Sequence, residues 1–125
     1  MEPVVLLYNI EGLRLKQIEL LAARLGVRAR PVPPGDYGRP LGSLCGLASG
    51  GGAQGLWNEF SEEMLVMAHF SPAQMHAFLD SFRQVGLPSV RLKAVLTETN
   101  SQWNSCALRA ELLKEEAAFR AMKKT

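Results

Sequence analysis

A chain of 125 residues is long enough for one ordinary hydrophobic core and too short for two of usual proportions, so a single domain over 1–125 is expected. Apolar residues make up 47% and charged residues 21%, the usage of a folding globular chain and not of a disordered or fibrous one. Six Lys and Arg against five Asp and Glu in residues 1–60, and eight against seven in 61–125, leave +1 in each part. With no basic tail or acidic arm, duplex nucleic acid and anionic membrane surfaces have no support from charge.

The longest aliphatic runs, 4–7 and 64–68, fall far short of the ~20 residues a membrane-spanning helix needs. Met1-Glu2-Pro3 supplies no basic segment ahead of an apolar run of signal length. The chain is therefore expected to be cytoplasmic, with no membrane partner, and Cys45 and Cys106 are expected to be two reduced thiols.

Taken in chain order, residues 4–8 read as a strand, followed by a helix with the apolar stripe Leu15, Ile18, Ala22 and Leu25 and a stop at Gly26-Val27. A second strand is read over 27–32. Residues 34–61 then hold eight of the eleven glycines, Gly50-Gly51-Gly52 among them; this is a loop longer than compact domains usually need, and 46–55 is expected to be mobile. A third strand follows at 64–68. Ser71, Pro72 and Gln74 spell a capping box, Met75, Phe78, Leu79, Phe82 and Val85 form one stripe, and Gly86-Leu87 ends the helix. A fourth strand is read over 90–97, and Ser105 is expected to cap a last helix running to about 122.

Sliding the chain by 60 residues puts Ile10 on Phe70, Ile18 on Phe78 and Gly26 on Gly86 with no gap. The chain thus reads as an internal repeat of 4–33 and 64–97, each part strand-helix-strand. Two such units predict an α+β fold, the ferredoxin-like β-α-β-β-α-β sandwich, with an antiparallel four-stranded sheet, both helices on one face and an additional C-terminal helix. The second and fourth strands are then edges, and Pro31 and Pro33 fit an edge. The central strands are apolar on both faces, so the face away from the two helices must be covered by the last helix, the loop or another chain. The last helix carries two stripes, Trp103, Ala107, Ala110, Leu113 and Ala117 on one side and Leu108, Leu112 and Phe119 on another; this favours a homodimer.

The run Lys93-Ala94-Val95-Leu96-Thr97-Glu98-Thr99-Asn100-Ser101-Gln102-Trp103, followed by Leu108, Glu111-Leu112 and Glu115, resembles a family of short uncharacterised bacterial proteins, a domain of unknown function. The likeness also covers 64–86. It implies no established activity, cofactor or catalytic residue.

The strand order places His69 at the same end of the sheet as Thr97, Thr99, Asn100 and Trp103. These five are the candidate ligand-binding residues, with a small anion as the ligand, because hydroxyls, an imidazole and an indole would stand beside the helix start at Ser71. The competing reading is structural: Thr99, Asn100 and Ser101 cap their own backbone and Trp103, mostly buried, closes the seam between the last helix and the fourth strand. Residues 8–12 lack the glycine-rich nest and arginine of an acyl-phosphate loop, and Glu11 would repel phosphate. Cys45, Cys106, His69 and His76 have no paired ligand spacing, so no metal and no cofactor are expected, and no catalytic set is read. Single-stranded RNA is a minor alternative: residues 5–10 echo an RNA-recognition strand, but 65–68 are aliphatic throughout. The leading function is a non-catalytic ligand-sensing or scaffolding module acting as a homodimer, and the rival is an anion-binding protein or enzyme using the edge from Thr97 to Trp103.

Overall fold

The structure, a computed structural model, describes residues 2–47 and 58–123. Strand β1 (Val4–Tyr8), helix α1 (Gly12–Arg24) and strand β2 (Arg28–Pro31) make a first strand-helix-strand unit. A 3-10 turn (Pro34–Asp36) and the short helix α2 (Leu41–Leu44) follow, then β3 (Met64–Ala68), α3 (Pro72–Gln84) and β4 (Leu92–Val95). A second 3-10 turn (Asn100–Gln102) leads into α4 (Ser105–Lys123). Of the stretch 46–55, all but its first two residues lies outside the described residues.

The local signals act as the residue types dictate. Ser71 Oγ accepts from the Gln74 N–H at 3.0 Å and the Gln74 side chain accepts from the Ser71 N–H at 3.0 Å, closing both halves of the capping box. Gly26 and Gly86 sit at φ +71° and +72°, where a side chain would be strained. There the N–H groups of Val27 and Leu87 reach back to the carbonyls of Ala22 and Phe82 at 2.9 and 2.8 Å. The last helix departs from expectation at its start. Asn104 caps it, its Oδ1 accepting from the Ala107 N–H at 2.8 Å, while the Ser105 hydroxyl is drawn inward to the Tyr8 phenol at 2.7 Å.

The strand order is β2-β1-β3-β4, with β1 and β3 antiparallel, β2 parallel to β1 and β4 parallel to β3. The sheet is mixed, which corrects the antiparallel ferredoxin-like arrangement: the edges are β2 and β4 as expected, but β2 lies beside β1 instead of β3. The reason is the connection. A short hairpin would force β2 next to β3, whereas the chain between Pro31 and Met64 is long enough to cross the sheet, so each parallel pair closes within its own unit. Parallel crossovers share one hand; two units set antiparallel therefore lay α1 and α3 on the same face, with Ile18, Leu21, Phe78 and Phe82 against Val5, Leu7, Leu65 and Met67.

The opposite face of the same strands, Val4, Leu6, Tyr8, Met64, Val66 and Ala68, is covered by the chain itself. Tyr37, Leu41, Leu44 and Cys45 of the connection and Leu108 of α4 are buried on it, with Trp103, Leu112 and Leu113 partly buried against them. The homodimer expected from the sheet face loses that motive. Along α4, Ala107, Ala110 and Ala117 are exposed, and Phe119 is 59% exposed beyond the covered sheet.

If the connection is part of the core, Leu41→Ala should cost as much as truncating a central-strand leucine, ~2–5 kcal/mol. Urea unfolding of Leu41→Ala beside Leu6→Ala checks this. A Leu41→Ala protein as stable as the parent would show that the connection rests on the sheet without holding it.

Candidate functional site

The segment from Thr97 to Trp103 is built around one carboxamide. Leu92 and Leu96 donate their N–H groups across to β3, to Glu63 O and Met67 O, so the backbone groups of residues 93, 95 and 97 point away from it. Asn100 occupies that outer side. Its Nδ2 donates to Val95 O at 3.0 Å and its Oδ1 accepts from the Thr97 N–H at 2.8 Å, the pair of bonds a further strand would supply. Thr97 Oγ1 accepts from the Asn100 N–H at 3.0 Å, and Ser101 Oγ donates to Glu98 O at 2.8 Å. Thr97, Asn100 and Ser101 thus cap their own backbone.

Helix α2 buttresses the turn from the other side. The Leu41 N–H donates to Trp103 O at 2.8 Å. A Cβ on Gly42 would lie 3.2 Å from both Cβ and O of Ser101, so a side chain there would press these segments apart by a few tenths of an ångström.

Between β4 and α4 this leaves a cleft of about 350 Å³. Thr97, Thr99, Asn100 and Trp103 line it, four of the five expected residues, together with Leu108, Glu111, Leu112 and Glu115 of α4 and residues 93–95 of β4. His69 does not. It follows β3 at the same end of the sheet, but its backbone is left-handed at φ +63° and its Nε2 is enclosed with no hydrogen-bond partner among the described residues. Asn9, after β1, has nearly the same backbone at φ +60°. There the side chain is fully used: Nδ2 donates to Phe60 O at 2.8 Å and Glu62 O at 2.9 Å, and Oδ1 accepts from the Tyr37 phenol at 3.3 Å. Trp103 is half-buried, less covered than its bulk suggests, and it lines the cleft. Among the described residues, no three of His, Cys, Asp and Glu stand together as a metal set would require.

Two groups that the sequence reading passed over set the frame around this cleft. Tyr8 is fully buried, and burial pushes its phenol well above its ordinary range. Its ring meets Tyr37 and Phe60 at centroid distances of 5.6 and 5.9 Å. The adjacent Glu62 and Glu63 tie the start of β3 to a helix on each side of the sheet. Arg109 of α4 grips Glu62 with Nε and Nη2 at 2.8 and 2.7 Å, and Arg14 of α1 grips Glu63 with two bonds of 2.7 Å. No residue spacing announces such pairs, since their partners lie 47 and 49 positions apart.

The fold and cleft define an α+β protein with a mixed four-stranded sheet and a candidate binding cleft at one sheet edge. Residues 63–119 match a family described as Domain of unknown function (DUF3783). The match runs from the start of β3 into the last turns of α4, less than half of the chain, and includes every residue lining the cleft. No curated protein and no solved structure matches the chain.

Arg109 hydrogen bonds hold the Glu62 carboxyl at about 2, below its ordinary 4.5, against the opposing effect of burial. A depressed carboxyl stabilises the fold above its unfolded pKa, and that contribution fades as pH falls from about 4.5 towards 2. Melting temperatures across this window should fall more steeply for the parent than for Arg109→Met; parallel curves would sever the link. Asn100→Ala should cost ~1–3 kcal/mol, since it strips the partners from Val95 O and the Thr97 N–H. An unchanged urea midpoint would show that water replaces the carboxamide without loss.

Proposed function

We propose that this protein is a non-catalytic binding module whose recognition surface is the cleft between β4 and α4, and that the group it takes is cationic. The observation that carries this is the chemistry of the walls: Trp103 lines the same space as the acidic Glu111 and Glu115, while the ammonium of Lys93, also of the lining, is engaged by the Val90 carbonyl at 3.1 Å. An aromatic face with two acids suits a guanidinium or ammonium ion. It disfavours the small anion that the residue types of the turn suggest by themselves. The helix start at Ser71 adds little for an anion, because the capping box already engages the N–H groups of Ser71 and Gln74. Thr97 and Asn100 serve as a rigid rim, their polar groups being spent on the turn.

A homodimer is the second part of this reading, and Phe119 favours it. It falls on the same helical stripe as Leu108 and Leu112, yet it projects past the sheet and is 59% exposed. With the sheet face closed by the chain's own connection, the end of α4 is the surface that supports pairing.

The test uses a Trp57→Phe protein, in which Trp103 is the remaining indole. Titration with N-acetyl-arginine amide should change its emission saturably, and Glu111→Gln with Glu115→Gln should weaken binding about tenfold, ~1.4 kcal/mol. An equal response in the double variant, or a stronger response to N-acetyl-aspartate, would overturn the cationic reading. Light scattering addresses the pairing separately: a dimer in the parent that becomes monomeric in Phe119→Lys is expected, and a monomeric parent removes this part.

A further inference from the structure

The anion that the cleft's own charges disfavour has cations waiting at the other edge of the sheet. In β2, Arg28 and Arg30 stand opposite Val4 and Leu6 of β1, so their side chains share the face covered by the connection. They line a pocket of about 250 Å³ with the buried Val4, Leu44 and Cys45. Two residues along a strand span about 6.6 Å, a separation at which two guanidinium groups reach one group from two sides.

Their present engagements differ. Arg30 donates from Nη1 to the Leu44 carbonyl, which orients its fork within the pocket. Arg28 is exposed and makes no ion pair or side-chain hydrogen bond with any described residue. Glu2 is the carboxylate of the lining and forms no ion pair with either arginine among the described residues. An oriented guanidinium, a second one with its donors open, and an apolar floor make a receptor for an oxyanion with a small apolar carrier.

We propose that the pocket between Arg28 and Arg30 binds a small molecule through a phosphate or carboxylate group. This site is separate from the β4–α4 cleft, and neither reading depends on the other. Arg30 fixes one side of the oxyanion while it holds the end of α2; Arg28 closes over the other side. The carrier lies on Val4, Leu44 and Cys45, and Glu2 sets a repulsion that any anion must overcome.

Isotope-labelled full-length protein titrated with inorganic phosphate, and in parallel with acetate, at ionic strength matched by sodium chloride, tests this by amide and guanidinium NMR shifts. Saturable shifts at Arg28, Arg30, Cys45 and Gly46 beyond those from chloride are expected. Arg28→Gln should weaken them about tenfold, the order of one charge-assisted contact, without moving the melting temperature, because the Arg28 guanidinium has no partner among the described residues to lose. Glu2→Gln should strengthen them. Phosphate outcompeting acetate identifies a phosphate-bearing ligand, and the reverse a carboxylate. Shifts indistinguishable from chloride, or an undiminished response in Arg28→Gln, would overturn the proposal.

Discussion

Two adjacent strands that are apolar on both faces have to be covered twice, and the rest of this molecule follows from that demand. Nearly every side chain of β1 and β3 is out of contact with water, although the two repeated helices can reach only one side of them. The burial of those strands is the main source of stability in the sheet, at roughly 25 cal/mol for each Å² of apolar surface removed from water. Recruiting the connection and α4 to the second side makes both parts of the core. Both candidate sites then lie where a covering element meets an edge strand: α4 beside β4, and the end of α2 beside β2.

The edges themselves are closed by different means. β2 carries Pro31, which has no N–H to offer a further strand. β4 presents its outer backbone groups, and there the Asn100 carboxamide takes the place of a neighbour. Edge strands left open invite pairing between molecules. Here the same turn that blunts the edge also forms the rim of a cleft, so one set of hydrogen bonds serves protection and shape together.

Much of this was legible in the residues because the signals were local. Ser71, Pro72 and Gln74 announce a helix start, Gly26 and Gly86 announce stops, and short uninterrupted apolar runs announce central strands; each depends on neighbours within a few positions. The pairing of β2 was not legible, since it depends on where a long connection travels, and nothing in Pro31 or Pro33 says which central strand they border. Asn104 and Ser105 are both good caps by composition, and only the buried Tyr8 phenol decides that Ser105 turns inward. For the candidate cleft, Thr97, Thr99, Asn100 and Trp103 were within reach because they are close in sequence. Glu111 and Glu115, on which the proposed cationic ligand rests, required knowledge of how α4 lies on the sheet. Arg28 and Arg30 carry no local signal of the pocket they line, which exists only because Leu44 and Cys45 are brought beside them.

The Asn100 carboxamide has a further consequence for assembly. A sheet grows by adding strands, and a side chain that presents one donor and one acceptor at strand spacing behaves as a chain terminator: it satisfies the template without offering a new one. Growth of the sheet into a continuous ribbon across molecules is thereby stopped at the β4 end by two bonds within the monomer. The β4 edge is consequently a poor template for edge-to-edge pairing between molecules.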